Sequence, residues 1–235
     1  MKYKTFTLSE VLITLTIIGI IAAITVPLLM QNYKRQQYTA KLKKVINVIN
    51  NSFNLAMVDN GLSRESIICD EQIGGANPSG DIFNTYLKDY LNVYKIYTST
   101  EEMEKDNIFK LGNQNITSDM PLVILSDGTI IQWDGVAYGS GNECYTGFWV
   151  DINGAAKPNT SGKDILYFYM TTPTFTSSSK KLSNLPLITT SVGSYGKYSY
   201  KRCYDSCKQY NNSYICTRLL ELSGWEYNKN YPKNL

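Results

Sequence analysis

Residues 6–30, FTLSEVLITLTIIGIIAAITVPLLM, decide the architecture of this chain. One acid, Glu10, stands at the mouth of the run, and no residue from Val11 to Tyr33 carries a charge. About 20 apolar residues in a helix rising ~1.5 Å each span the ~30 Å hydrocarbon core of a bilayer, so this run is a membrane-crossing candidate. Pro27, near its far end, lacks an amide donor and is expected to kink the helix. A carboxylate at the edge of an apolar helix is costly unless paired, so Glu10 calls for a partner charge.

The flanks refine this reading. MKYKT, with Lys2 and Lys4, is too short and polar for a domain. A secretory signal has a shorter apolar core and a small-residue cleavage site behind it, and neither fits here. Residues 34–58 continue at helical spacing: Tyr38, Leu42, Ile46, Ile49, Phe53 and Met57 recur every three or four residues, with Lys41, Lys43 and Lys44 between them. A single helix of roughly 50 residues, apolar all round and then amphipathic, would be ~75 Å long. An ordinary single-pass anchor with Glu10 at the interface is the plainer alternative.

Phe6-Thr7-Leu8-Ser9-Glu10, after a short basic leader and before VLITLTIIGIIAAITVP, resembles the N-terminal signature of type IV pilins and type II secretion pseudopilins. The resemblance implies cleavage by a prepilin peptidase between Thr5 and Phe6, methylation of the new Phe6 amine, and residence in the inner membrane until assembly into a filament. Thr5 departs from the Gly, or sometimes Ala, usual before the cut. The freed amine of one subunit could meet the Glu10 carboxylate of its neighbour, a pairing that offsets desolvation and sets register. Glu10 and Pro27 are therefore the assembly candidates. The implied partners are other pilin-like subunits, the peptidase, an inner-membrane assembly platform and the lipid bilayer.

The expected division is a leader at 1–5, a transmembrane and assembly helix at 6–30, its amphipathic half at 31–58, and an α+β globular domain at 59–235. Counting basic residues on either side of the span would put the C-terminal side in the cytoplasm. The resemblance and the cysteines put it in the periplasm, and later in a periplasmic or cell-surface filament. A net charge of +3, about +1 without Lys2 and Lys4, gives no nucleic-acid signal. The absence of His excludes Ser-His-Asp and Cys-His catalysis, and no phosphate-binding Gly motif occurs, so no enzyme is expected.

Cys69, Cys144, Cys203, Cys207 and Cys216 read as two disulfides and a spare thiol in an oxidising compartment. Five choices of spare and three pairings of the rest leave fifteen arrangements open. The reading taken is Cys207–Cys216 as a local staple and Cys69–Cys144 as the long bridge.

Beyond the helix, residues 59–80 read as a loop and DIFNTYLKDYLNVY (81–94) as an amphipathic helix with Phe83, Leu87, Tyr90, Leu91 and Tyr94 on one face. Residues 97–118 read as a surface excursion. PLVILSDGTIIQWD (121–134) reads as a hairpin turning at Asp127-Gly128, and 146–151 and 165–170 as two further strands. Residues 171–200 read as irregular and exposed, and ICTRLLELSGWEYNKNYP as a short helix closed by Gly224 with an aromatic tail. The fold class follows: α+β and pilin-like, a long N-terminal helix packed on a small antiparallel sheet.

Two stretches extend the resemblance more loosely. Residues 149–154, 157–159 and 162–164 are similar to a strand–loop–strand in pilin-like C-terminal domains, and Gly224-Trp225 with Tyr231-Pro232 to their endings. In that loop Asp151, Asn153 and Asp164 offer the hard oxygen donors calcium takes, and major secretion pseudopilins use calcium in a C-terminal loop. Ala156 stands where an EF-hand needs its sixth-position Gly, and turn chemistry alone explains Asp, Asn and Gly here. Two functions stay open: a subunit, whose length tilts it towards a minor pilin, that polymerises into a type IV pilus or a type II secretion pseudopilus, and a single-pass anchored periplasmic binding or adhesion protein that forms no filament.

Overall fold

The computed structural model describes residues 7–69, 82–112, 115–138, 144–177, 180–182, 184, 186–190 and 194–233. Helix α1 (Leu8–Asn60) runs 53 residues without a break, through Pro27. It starts at a Thr7 N-cap and ends where Gly61 turns left-handed (φ 61°), a conformation that costs Gly little. Its two halves differ completely. From Leu8 to Lys34 every residue is exposed, and the burial of Leu42, Val45, Ile46, Ile49, Phe53 and Ala56 begins only beyond them. In the bare half the hydroxyls of Thr14, Thr16 and Thr25 donate back to the carbonyls of Val11, Leu12 and Ile21, so they need no other acceptor.

The buried stripe packs on a sheet in the order β1 (Val93–Tyr97), β2 (Leu122–Leu125), β3 (Ile130–Tyr138), β4 (Cys144–Asp151), β5 (Ile165–Thr171) and β8 (Ile188–Thr189), every pairing antiparallel. A separate hairpin, β6 (Phe175–Ser177) and β7 (Lys180–Leu182), precedes β8. Successive side chains of these strands point to opposite faces, and both faces of the sheet are covered. Val123, Ile131, Trp133, Phe148, Val150, Leu166 and Phe168 face α1 in the main core. Leu122, Ile130 and Ile165 face the other way, under a second small core with Tyr97, Met103, Leu111 and Ile116. This is an α+β, pilin-like arrangement of a long N-terminal helix on a six-stranded antiparallel sheet.

Short helices complete it: α2 (Arg64–Ile68), α3 (Thr100–Lys105), α4 (Tyr200–Gln209) and α5 (Ser213–Leu222). Helix α5 covers the part of the β5 edge that β8 leaves open. Ser213 Oγ donates to Ile165 O at 2.9 Å, and Thr217 Oγ1 accepts from the Tyr167 N–H at 3.0 Å, so polar groups of an edge strand are satisfied by helix hydroxyls. Glu221 accepts from the Thr189 hydroxyl at 2.6 Å and from Arg218 at 2.6 Å, tying α5 to β8.

Four sequence expectations change. Residues 64–68, read as part of a loop, form α2 and bury Ile67 and Ile68. Residues 81–94 are not one helix: a single wide turn (Phe83–Leu87) buries Phe83 and Leu87, and the chain then becomes β1, with Tyr94 exposed. Helical and strand spacing are indistinguishable over so short an apolar run. Residues 97–118 are not wholly surface, because Tyr97, Met103, Leu111 and Ile116 roof the second core. Residues 171–200 contain β6, β7 and the buried β8.

Candidate functional site

The candidate site residues lie in two places, the start of α1 and the β4–β5 loop. At the first, Thr7 and Glu10 form a reciprocal cap. The Thr7 backbone N–H and hydroxyl both donate to Glu10 Oε2 at 2.8 Å, and the Glu10 N–H donates to Thr7 Oγ1 at 3.3 Å. Within one chain, then, Glu10 has a helix-capping role, satisfying donors that a helix start leaves orphaned. Both residues remain exposed, so the carboxylate is also presented outward. Thr5 and Phe6, the expected cleavage pair, lie outside the described residues. Behind the cap, α1 is long and apolar enough to cross a membrane by length and composition, and the described residues of the chain leave its apolar stretch unburied.

The loop between β4 and β5 sits where the chain closes on itself. Gly154, at φ 66°, lies so close to the β2–β3 turn that an added Cβ would stand 2.1 Å from Gly128 O, so only Gly fits there. Tyr227 donates its hydroxyl to Lys163 O at 2.8 Å and Tyr231 its hydroxyl to Gly162 O, so the C-terminal tail clamps the loop from outside. Both rings are buried, and burial pushes their phenols well above the usual range.

The three loop residues expected as cation donors behave differently. Asp164, fully buried, spends both oxygens on backbone amides, accepting from Asn159 N at 2.9 Å and Thr160 N at 2.5 Å. That is turn chemistry, with one amide on each carboxylate oxygen. Asp151, 1% exposed, accepts from Asn153 N at 3.0 Å through Oδ1 only; Oδ2 has no partner. Asn153 donates to Ala156 O at 2.8 Å while its own Oδ1 has none, and Asn159 Oδ1 is in the same condition. Burial pushes the Asp151 carboxyl up to about 7. Unpartnered buried oxygens are rare enough to need a reason. Asn159 carried no signal in the sequence beyond its place after Pro158. Among the described residues no group of three or more His, Cys, Asp or Glu is placed to hold a metal ion.

The cysteines pair as Cys69–Cys144 and Cys207–Cys216, and Cys203 is a buried thiol. The first bridge joins the end of α2 to the start of β4, and the second joins α4 to α5. Helix α4, with Cys203 and Cys207 one turn apart on its buried face, escaped the sequence reading because its apolar content is mostly Cys and Tyr.

Comparison with known proteins gives two matches. Residues 28–235 match a family described as a family of unknown function, DUF6613. Residues 2–26 match the prokaryotic N-terminal methylation motif, the prepilin-type signature of type IV pilins and pseudopilins. No curated protein matches the chain, and no solved structure does. The signature points to a membrane-anchored structural subunit that a prepilin peptidase processes and that meets other pilin-like subunits. The chain belongs to the DUF6613 family and is a type IV pilin-like protein by its N-terminal methylation motif and its fold.

Proposed function

We propose that this protein is a filament subunit that polymerises through the apolar half of α1 into a type IV pilus or a type II secretion pseudopilus. The observation that carries the reading is the exposure of every residue from Leu8 to Lys34, a stretch that begins inside the methylation motif at residues 2–26. So large an apolar surface needs lipid first and neighbouring helices later. On this reading residues 1–5 are the leader, 6–30 the membrane and assembly segment, 31–58 the helix half that carries the head, and 59–235 a periplasmic domain. The Phe6 amine exposed by cleavage competes with Thr7 for Glu10, and the Glu10 carboxylate of an incoming subunit pairs with the amine of its neighbour.

The test is Glu10→Ala in a host that assembles the wild-type filament. Expected is retained membrane insertion with filament yield reduced at least tenfold. Normal yield overturns the role given to Glu10. The intact mass of the membrane-extracted protein checks the processing: a chain starting at Phe6, heavier by one methyl group and lighter by two hydrogens per disulfide. A chain still starting at Met1 favours the anchored, non-polymerising alternative.

The unpartnered oxygens of Asp151, Asn153 and Asn159 support a second reading, that the β4–β5 loop takes a hard cation such as calcium. Millimolar calcium should then raise the melting temperature over a chelator control, and Asp151→Asn should abolish the increment. An unchanged wild-type melting temperature discards the cation.

A further inference from the structure

Three contacts tie the C-terminal tail to the first buried turns of α1. Tyr227 donates its backbone N–H to Thr39 Oγ1 at 3.0 Å, its ring meets that of Tyr38 edge-on at 5.7 Å, and Glu226 pairs with Lys43 at 2.6 Å. Lys34, the first charge after the uncharged run, lies five residues before Thr39, about 7–8 Å along the helix. The tail therefore sits on the side of the head from which the apolar half of α1 emerges.

Three residues past Tyr227, Asn230 lines an open groove of about 330 Å³ whose other lining residues are Tyr200, Lys201 and Tyr204 of α4. Lys233 holds the tail to the end of α4, donating to Tyr210 O at 3.1 Å and Asn211 Oδ1 at 2.9 Å. The surroundings are basic. Residues 197–233 contain seven Lys and Arg against three acids, an excess of four in a chain whose net charge is +3. Two of those acids are engaged, Glu221 with Arg218 and Glu226 with Lys43, which leaves Asp205 as the acid of α4. Lys201 and Lys229 are exposed, Tyr200 is 41% exposed, and Arg202 stacks over Tyr198 at 3.8 Å.

Lysines beside half-exposed tyrosines, close to the emergence of a membrane-spanning helix, match the chemistry of a bilayer interface. Tyrosines favour headgroup depth there, and basic side chains are drawn to anionic lipid. We propose that this groove and its basic rim dock on anionic phospholipid headgroups of the same bilayer that α1 crosses, with Lys201 reaching phosphate and Tyr200 and Tyr204 lying beside the headgroups. The inference rests on reading α1 as a membrane span. Docking holds the head against the leaflet until the subunit is drawn into a filament, so lipid charge sets how readily it leaves.

The test uses the full chain reconstituted into phosphatidylcholine vesicles with and without phosphatidylglycerol, reading amide hydrogen exchange over 198–210 and 226–233. Exchange should slow several-fold only in the anionic vesicles, and molar salt should restore it. Lys201→Gln combined with Lys229→Gln should remove the protection at an unchanged melting temperature. Protein that fails to float with either vesicle defeats the membrane-span reading itself. Protein that is embedded but exchanges identically in both overturns the docking alone. Equal protection by inorganic phosphate over neutral vesicles would make the groove a free-anion site and also overturn it.

Discussion

The two halves of α1 are one continuous helix with opposite fates. Below Tyr38 its apolar residues are spaced to form a stripe, and the sheet covers that stripe: Leu42 and Phe53 have no exposed surface. Above it apolar residues surround the axis, and the rest of the chain covers none of them. The contrast teaches that hydrophobicity predicts burial only together with its angular distribution. A stripe can be satisfied by one sheet within the chain, whereas an all-round surface needs a surrounding medium or a ring of other helices.

The sharpest way to break this contrast is paired truncation in the two halves. Phe53→Ala should destabilise the head by about 3–5 kcal/mol, because the site is fully packed and cannot collapse. Ile20→Ala should leave head unfolding within about 0.5 kcal/mol, since Ile20 touches none of the core. Denaturant unfolding in detergent measures both, and an Ile20 effect comparable to that of Phe53 would end the division into halves.

The disulfides come next. Both lie in the head, and removing either pair as Cys→Ala should cost about 2–4 kcal/mol, with more lost at Cys69–Cys144 because it closes a longer loop. The sequence separations are 75 and 9 residues. Melting of the two double variants ranks them, and the reverse order would count against the chain-entropy account.

High pH loosens the head. Tyr227 and Tyr231 are held neutral by burial, with phenols well above the unfolded value near pH ~10. The stability they contribute is fully present below that value and is lost as pH climbs past it, because the unfolded chain then releases protons that the folded one retains. Phenolate absorbance should therefore show these two groups ionising only as the head unfolds.

The smallest effect belongs to Lys43–Glu226, whose side chains are roughly half exposed. Lys43→Met should cost less than about 1 kcal/mol, and less still in high salt. A larger loss would mean that the tail depends on this pair rather than on Tyr227.

What the sequence made legible follows the strength of its periodicity. Twenty-three uncharged residues in a row, then Leu42, Ile46, Ile49 and Phe53 at helical spacing, leave little alternative to α1. Asp127-Gly128 between Val123 and Ile131 marks its hairpin, and short runs rich in aromatic and β-branched residues mark β4 and β5. Where apolar runs are short the reading fails, as at residues 81–94, whose five large side chains fit a helix face and a turn-plus-strand equally well. The β4–β5 loop was legible as a loop but not in its hydrogen bonds, since whether Asp164 caps amides or stays free depends on backbone angles that no spacing encodes. Helix α4 was missed because cysteine supplies its buried face.

The clamp of Tyr227 and Tyr231 on residues 162 and 163 gives the chain a timetable. Synthesis delivers α1 and the β4–β5 loop before these two rings, and the loop has no outer cover until they arrive. The head therefore cannot close around its own middle before residues 227–231 have emerged, so the buried stripe of α1, made well before them, waits longest for its cover. A truncation that removes the last ten residues should leave a head that forms its sheet yet keeps an open seam, one that a protease finds between residues 151 and 164.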